Sequence, residues 1–176
     1  MKTLITIIFL SFAITISAQD SANKIFLELV NAHRAKHGLK PVEYSALLDS
    51  AATLHVNWMV AANKLSHYES PLTPDAVYYG DPLERIKKFA GIENFDTRWR
   101  NHFYSVFENA AGPLLCTNID RESITQIFNL WVSSKGHNKA LLDPKVNIAA
   151  FNLHGNYNSL IKRYSAYSAC LLVTKL

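Results

Sequence analysis

Three side chains in this sequence have the types and settings from which a site could be built: His67 in "LSHYES", Glu108 in "FENAAG" and His137 in "WVSSKGHNKALLDP". A neutral imidazole is a common metal ligand, and its pKa near neutrality also suits acid–base work. Glu108 is bracketed by Val106-Phe107 and Ala110-Ala111, where a carboxylate is costly to bury unless it is paired or hydrogen-bonded. It could serve as a general base, or hold a histidine in one tautomer. Each residue also has a plainer reading. His67 could be a solvated loop histidine, Glu108 a structural acceptor of backbone N–H groups, and His137 a residue favoured at a helix C-terminus by the dipole. His55 lies on an apolar helical stripe and is expected to be a core histidine bonded to backbone or water. No Gly-x-Ser-x-Gly elbow, phosphate loop or His-Glu-x-x-His is present.

The elements that must position these residues follow from periodicity. Residues 21–37 repeat apolar positions every three or four residues and stop at Gly38, which predicts a helix. "GLKPVEYS" reads as a linker. Leu47, Ala51, Leu54, His55, Trp58 and Ala62 form the clearest stripe, with Ser45 as N-cap and an end near Asn63–Leu65. His67 therefore opens a Pro-rich loop, residues 66–82, ahead of a short helix in "DPLERIKKFAG" with Asp81 as its cap and Pro82 first. Residues 92–104 show little pattern. "SVFENAAG" reads as a short strand or a turn that ends at Gly112-Pro113. Ile124, Ile127, Phe128 and Trp131 predict a helix over 122–134, with Gly136 suited to end it and to redirect His137. Two strands close the chain, "NIAAFNLH" and "YSACLLVTKL", separated by the turn "GNYN". Helices first and strands last, without βαβ alternation, predict an α+β domain whose helices cover an antiparallel sheet.

Residues 1–18 carry one charge, Lys2, an apolar run over Leu4–Ile16 and a small residue, Ala18. That is the plan of a secretory signal peptide, too short for a confident membrane span. Residues 19–176 suit one domain, and we expect a secreted or periplasmic monomer with no stable membrane span once the leader is removed. The net charge of +4 is too mild, and too scattered, for nucleic-acid binding. Cys116 and Cys170 belong to no Cys-x-x-Cys, and whether they pair is open at this level.

Taken in order, "LVNAHRAKHGLKPVEYSALLDSAATLH", "LSHYES", "DPLERIKKFAG", "FENAAG", "WVSSKGHNKALLDP" and "NIAAFNLH" resemble the superfamily of cysteine-rich secretory proteins, antigen five and pathogenesis-related protein one (CAP), in its prokaryotic SCP-like branch. The resemblance runs from about residue 24 to 175. It implies an α-β-α sandwich, helices flanking a central antiparallel sheet, and a cleft of His and Glu residues able to hold a divalent cation, often zinc. His67, Glu108 and His137 fall on the corresponding positions. Three departures stand out. Ser134 occupies the place of a second Glu, no His-Tyr-Thr-Gln run is present, and Leu65 replaces a Phe.

The expectation is therefore a binding domain rather than an enzyme. His67 and His137 would coordinate zinc, and Glu108 would complete the site or orient an unidentified small ligand, lipid or cell-envelope component. The alternatives are a metal-assisted extracytoplasmic hydrolase, peptidase or cell-envelope enzyme, with Glu108 as general base, and a carrier of small apolar ligands. The carrier needs an apolar groove beside the cleft, which the aromatics between Tyr68 and Phe107 could line or could fill as core.

Overall fold

The computed structural model describes residues 18–72, 80–90 and 103–175. The weakly patterned stretch 92–104 lies almost wholly outside these residues, as do residues 1–17, on which the expected signal peptide falls, and the middle of the Pro-rich loop.

The first helix, α1, spans Ala18–Lys36, and Gly38 follows it with φ of 69°. The linker "GLKPVEYS" contains a short strand: Glu43–Tyr44 forms the two-residue β1. The second helix, α2, spans Ala46–Ala62. The Ser45 hydroxyl accepts from the N–H of Leu48, and the helix ends where Asn63 turns left-handed at φ 49°. Pro82–Phe89 forms α3, with the Asp81 carboxylate accepting from the N–H of Glu84. These stops and caps follow the residue chemistry expected of them.

Phe103–Cys116 is one long strand, β2, so "FENAAG" is neither short nor a turn. Gly112-Pro113 sits inside it at a shift of register against β4. The backbone there runs so close to β4 that a Cβ on Gly112 would lie 2.6 Å from the Tyr167 ring. Helix α4 spans Arg121–Ser133, opened by a reciprocal cap between Asp120 and Ser123. A further helix, α5, spans Lys135–Leu141. The last two strands are longer than their apolar cores: β3 covers Ile148–Asn158 and β4 covers Arg163–Lys175. "GNYN" is therefore strand, and the turn lies at residues 159–162.

The sheet order is β1-β3-β4-β2. The three long strands are antiparallel, and β1 adds a short parallel rung beside Ile148 and Ala149. The sheet is mixed for that reason, while its body is antiparallel as expected. Strand alternation sends side chains to two faces. Phe151, Leu153, Cys170 and Leu172 pack against Phe26 and Val30 of α1, Ile127 and Trp131 of α4, and Leu141 of α5. Ala150, Leu171 and Val173 meet Leu48 and Ala51 of α2 and Ile86 of α3. Ala110, Tyr167 and Ala169 meet Val56 and Met59 of α2. The result is an α-β-α sandwich with one core cluster on one side of the sheet and two on the other.

Arg34, fully buried at the end of α1, closes one corner. Its guanidinium donates to the carbonyls of Lys40, Leu141, Asp143 and Val146 at 2.7–3.1 Å. The two cysteines do not bridge. Cys116 pairs in register with Tyr164 and Cys170 with Asn109, six residues further along β4, or roughly 20 Å at strand rise.

Candidate functional site

The site is built at β2, which is the last strand of the described sheet. Alternation sends Glu108 to the face shared with Val106 and Ala110, beneath α2 and α3. Its neighbour Asn109 is sent to the opposite face, toward α4 and α5.

Glu108 is almost fully enclosed, with a side-chain exposure of 1%. Its Oε2 accepts from Nη2 of Arg85 on α3, in an ion pair. Its Oε1 lies 3.0 Å from Nδ1 of His67 and 3.5 Å from Nε2 of His55. The pairing makes a buried carboxylate tolerable here. Glu108 thus meets side chains from three segments, and its contact with His67 is the arrangement of a carboxylate that holds a histidine, one of the two roles its sequence context suggested.

His67 is not a freely solvated loop residue, although its side chain is 47% exposed. Residues on α2 and α3 pin the loop around it. His55 Nε2 donates to the Ser66 carbonyl at 2.7 Å, and Trp58 Nε1 donates to the Ser70 carbonyl at 2.8 Å. Arg85 also donates to the carbonyls of His67 and Gly80. The backbone N–H of Glu69 donates to the Gly80 carbonyl as well. The hydrogen bond to Glu108 raises the pKa of His67. Burial opposes that shift, the Glu108 charge adds to it, and the Arg85 charge opposes it. Since Nδ1 is used, Nε2 is the ring nitrogen left without a partner among the described residues.

His55 is the expected core histidine, with one addition. Nδ1 faces Glu69 Oε1 at 3.1 Å, and its ring stacks on Trp58 with centroids 5.9 Å apart. Glu69 is buried and also approaches Arg85 Nη1 at 3.5 Å. Arg85 and Glu69 are thus the functional-site residues that sequence reasoning missed. Arg85 sits among the charges of a short helix, where nothing in its spacing distinguishes an inward from a solvated arginine.

His137 takes a position the sequence did not suggest. Gly136 does not end α4. Ser134 is the boundary, closing α4 and opening α5, which puts His137 in the first turn of α5. The C-terminal dipole argument therefore reverses, because a helix N-terminus disfavours an imidazolium. The pKa of His137 is lowered, by burial first and then by the charge of His67. Its carbonyl accepts from Asn109 Nδ2 at 3.2 Å, and its ring lies 6.4 Å from that of Trp131. The adjacent residues Glu108 and Asn109 thus hold one histidine each, from opposite faces of one strand. Among the described residues, no three His, Cys, Asp or Glu side chains are grouped so as to hold a metal ion.

A mainly apolar cavity of about 490 Å³ lies at the other edge of the sheet, lined by Asn23, Leu27, Asn31 and Tyr44 of α1 and β1. It is not beside the histidines, as the carrier reading requires. Of the aromatics proposed to line such a groove, Tyr68 is exposed and Phe107 packs on the core, and those within 91–102 lie outside the described residues.

The sequence matches the family model described as the cysteine-rich secretory protein family, CAP, over residues 27–163. The chain belongs to that family. This CAP domain is 29% identical over 128 residues to the uncharacterized protein YkwD of Bacillus subtilis. That match covers 73% of this chain but only 40% of YkwD, so the chain spans about two fifths of its relative. Two solved structures share the fold. One is an extracellular SCP-domain protein of Bacillus anthracis, with a TM-score of 0.64 at 16% identity over 89% of this chain and 41% of that one. The other is an outer surface protein of Borrelia burgdorferi, with a TM-score of 0.61 at 15% identity over 92% of this chain and 97% of that one. Among the described residues no helix is long and apolar enough to cross a membrane.

Proposed function

We propose that this CAP domain is an exported, extracytoplasmic binding domain whose cleft presents His67 and His137 to a ligand, with a divalent cation such as zinc as the ligand they would share. One observation carries the reading: the bond from His67 Nδ1 to Glu108 Oε1 leaves Nε2 as the outward nitrogen of a half-exposed ring. A carboxylate behind an imidazole is the outer arrangement found around metal-bound histidines, where it orients the ring and strengthens it as a donor. The fit is to two imidazole nitrogens. Glu108 itself, enclosed and tied to Arg85, suits the outer role better than a place among the ligands. Other positions on the ion would remain for water or for an oxygen of a bound molecule. Export is supported by the charged, apolar and small-residue plan of residues 1–18 and by the extracellular and outer-surface proteins that share the fold.

A second reading, hydrolysis at the same cleft, draws on the opposite directions in which the two imidazoles are pushed. A histidine that holds its proton more tightly, paired with one that holds it less tightly, is the arrangement that separates an acid from a base. Glu108 is less suited to general-base work than its sequence context suggested, because both of its oxygens are already engaged, by Arg85 and by His67.

Zinc titration by calorimetry, on wild type beside His67→Ala and His137→Ala, tests the first reading. Binding in wild type that weakens at least about tenfold in each variant is the expected result. No binding in wild type, or equal binding in all three, removes the metal. Hydrolysis of peptide or peptidoglycan fragments that is lost in His137→Ala would instead favour the enzyme.

A further inference from the structure

The β3–β4 hairpin ends in an apolar tip that no core uses. Leu160 is 92% exposed and Ile161 is 54% exposed. The turn that carries them is ordered by its own bonds, since the N–H groups of Leu160 and Ile161 both reach Asn158 Oδ1, at 3.0 and 3.4 Å. Next to the turn come Asn158 and Arg163, paired in register, and then Tyr157 and Tyr164, whose rings stand 5.0 Å apart. Lys162 is exposed beside Ile161, with a left-handed backbone at φ 52°.

The order from the tip inward is therefore two aliphatic side chains, two basic residues and a tyrosine pair. Residues 154–165, "HGNYNSLIKRYS", contain no Asp or Glu. Arg163, on the rung beside the turn, shares a shallow pocket with Asp120 and Glu122, so the positive charge at the tip rests mainly on Lys162. Two exposed aliphatics on a pinned turn are unfavourable in water and favourable in acyl chains. Aromatic rings with a polar edge belong at headgroup depth, and a basic residue there is attracted to anionic lipid. Two rungs of strand separate the tyrosines from the turn, roughly 7 Å, which matches the depth of an interfacial insertion.

We propose that the β3–β4 hairpin is a membrane-docking finger that inserts Leu160 and Ile161 into an anionic phospholipid surface, with Lys162 at the headgroups and Tyr157 and Tyr164 at the interface. The contact is peripheral and reversible. It holds the domain against a lipid surface, away from the cleft at the β2 edge, and it does not depend on what the cleft binds.

Flotation with vesicles tests this, on the chain lacking residues 1–18, with vesicles of phosphatidylcholine alone or mixed with phosphatidylglycerol. Binding to the mixed vesicles is expected, weakened by salt and at least about tenfold lower in Leu160→Asp, with a smaller loss in Lys162→Glu. A Leu160→Trp variant should shift its fluorescence to the blue on the mixed vesicles. Because the side chain is exposed, these variants should unfold in urea as wild type does. No binding to either vesicle, or binding unchanged in Leu160→Asp, overturns the proposal. Self-association lost in Leu160→Asp without any vesicle binding also overturns it, and assigns the tip to a second copy of this chain.

Discussion

Glu108 and Arg85 meet across the space between β2 and α3 with both side chains out of solvent, and the remaining oxygen of Glu108 lies 3.0 Å from His67. The ion pair and the histidine are one unit, because the carboxylate that neutralises Arg85 also orients the His67 ring. A change to either charge should therefore be felt in stability and at the cleft.

Glu108→Gln leaves the Arg85 charge buried without its main partner. The expected loss is about 3–5 kcal/mol, since breaking a buried pair costs more than the pair itself contributes. Urea denaturation measures it. The double variant Glu108→Gln with Arg85→Met should lose less than the sum of the single variants. Additive losses would mean that the two side chains do not interact.

The pH response of stability should carry opposite signs at the two histidines. The folded pKa of His67 is raised, so its contribution is fully present below the unfolded value of about 6.5 and is lost as pH rises through the folded value. The folded pKa of His137 is lowered, so the fold resists a proton that the unfolded chain accepts. Stability is then lost as pH falls below about 6.5 and levels off below the folded value. Unfolding curves of His67→Asn and His137→Asn against wild type test this. The wild-type advantage over His67→Asn should shrink with rising pH, and that over His137→Asn should shrink with falling pH. Both effects should be small, because both rings are partly exposed. Parallel curves across that range would refute it.

Arg34→Met removes four donors to backbone carbonyls that close the corner between α1, α5 and residues 143–146. We expect a loss of about 3 kcal/mol or more, because the buried carbonyls keep their desolvation cost without partners. Chemical denaturation reads this directly, and a loss below about 1 kcal/mol would mean that water replaces the guanidinium.

Cys116 and Cys170 should both stay unreactive in the native protein and both titrate as free thiols in denaturant. Both are buried, and burial raises the pKa of each thiol, well above the ordinary value for Cys170. Ellman's reagent distinguishes the cases. A protein with no free thiol in denaturant would require the two strands to move far from their register.

Local chemistry is enough to read α2 and α3 from the sequence, since Ser45, Asn63, Asp81 and Pro82 act within a turn of their own positions. The α+β order follows from periodicity, and the ordered motifs point to the CAP family that the family model matches. His67 and Glu108 stand out in the sequence, and the fold brings them into contact. Their partners are not legible there. Arg85 and Glu69 look like surface charges until α3 and the 66–70 loop are folded over β2, because nothing in a sequence says which of several charges faces inward. The sequence misplaces His137 for a related reason. Gly136 can end a helix, but Ser134 has already ended it, and a new helix begins there because Lys135–Leu141 packs against β2 and α4. Residue types and short-range spacing establish which side chains could do chemistry and which local elements carry them. Their division is a property of the packed sheet: the last strand of the described sheet, by alternating its side chains, gives Glu108 to one histidine and Asn109 to the other.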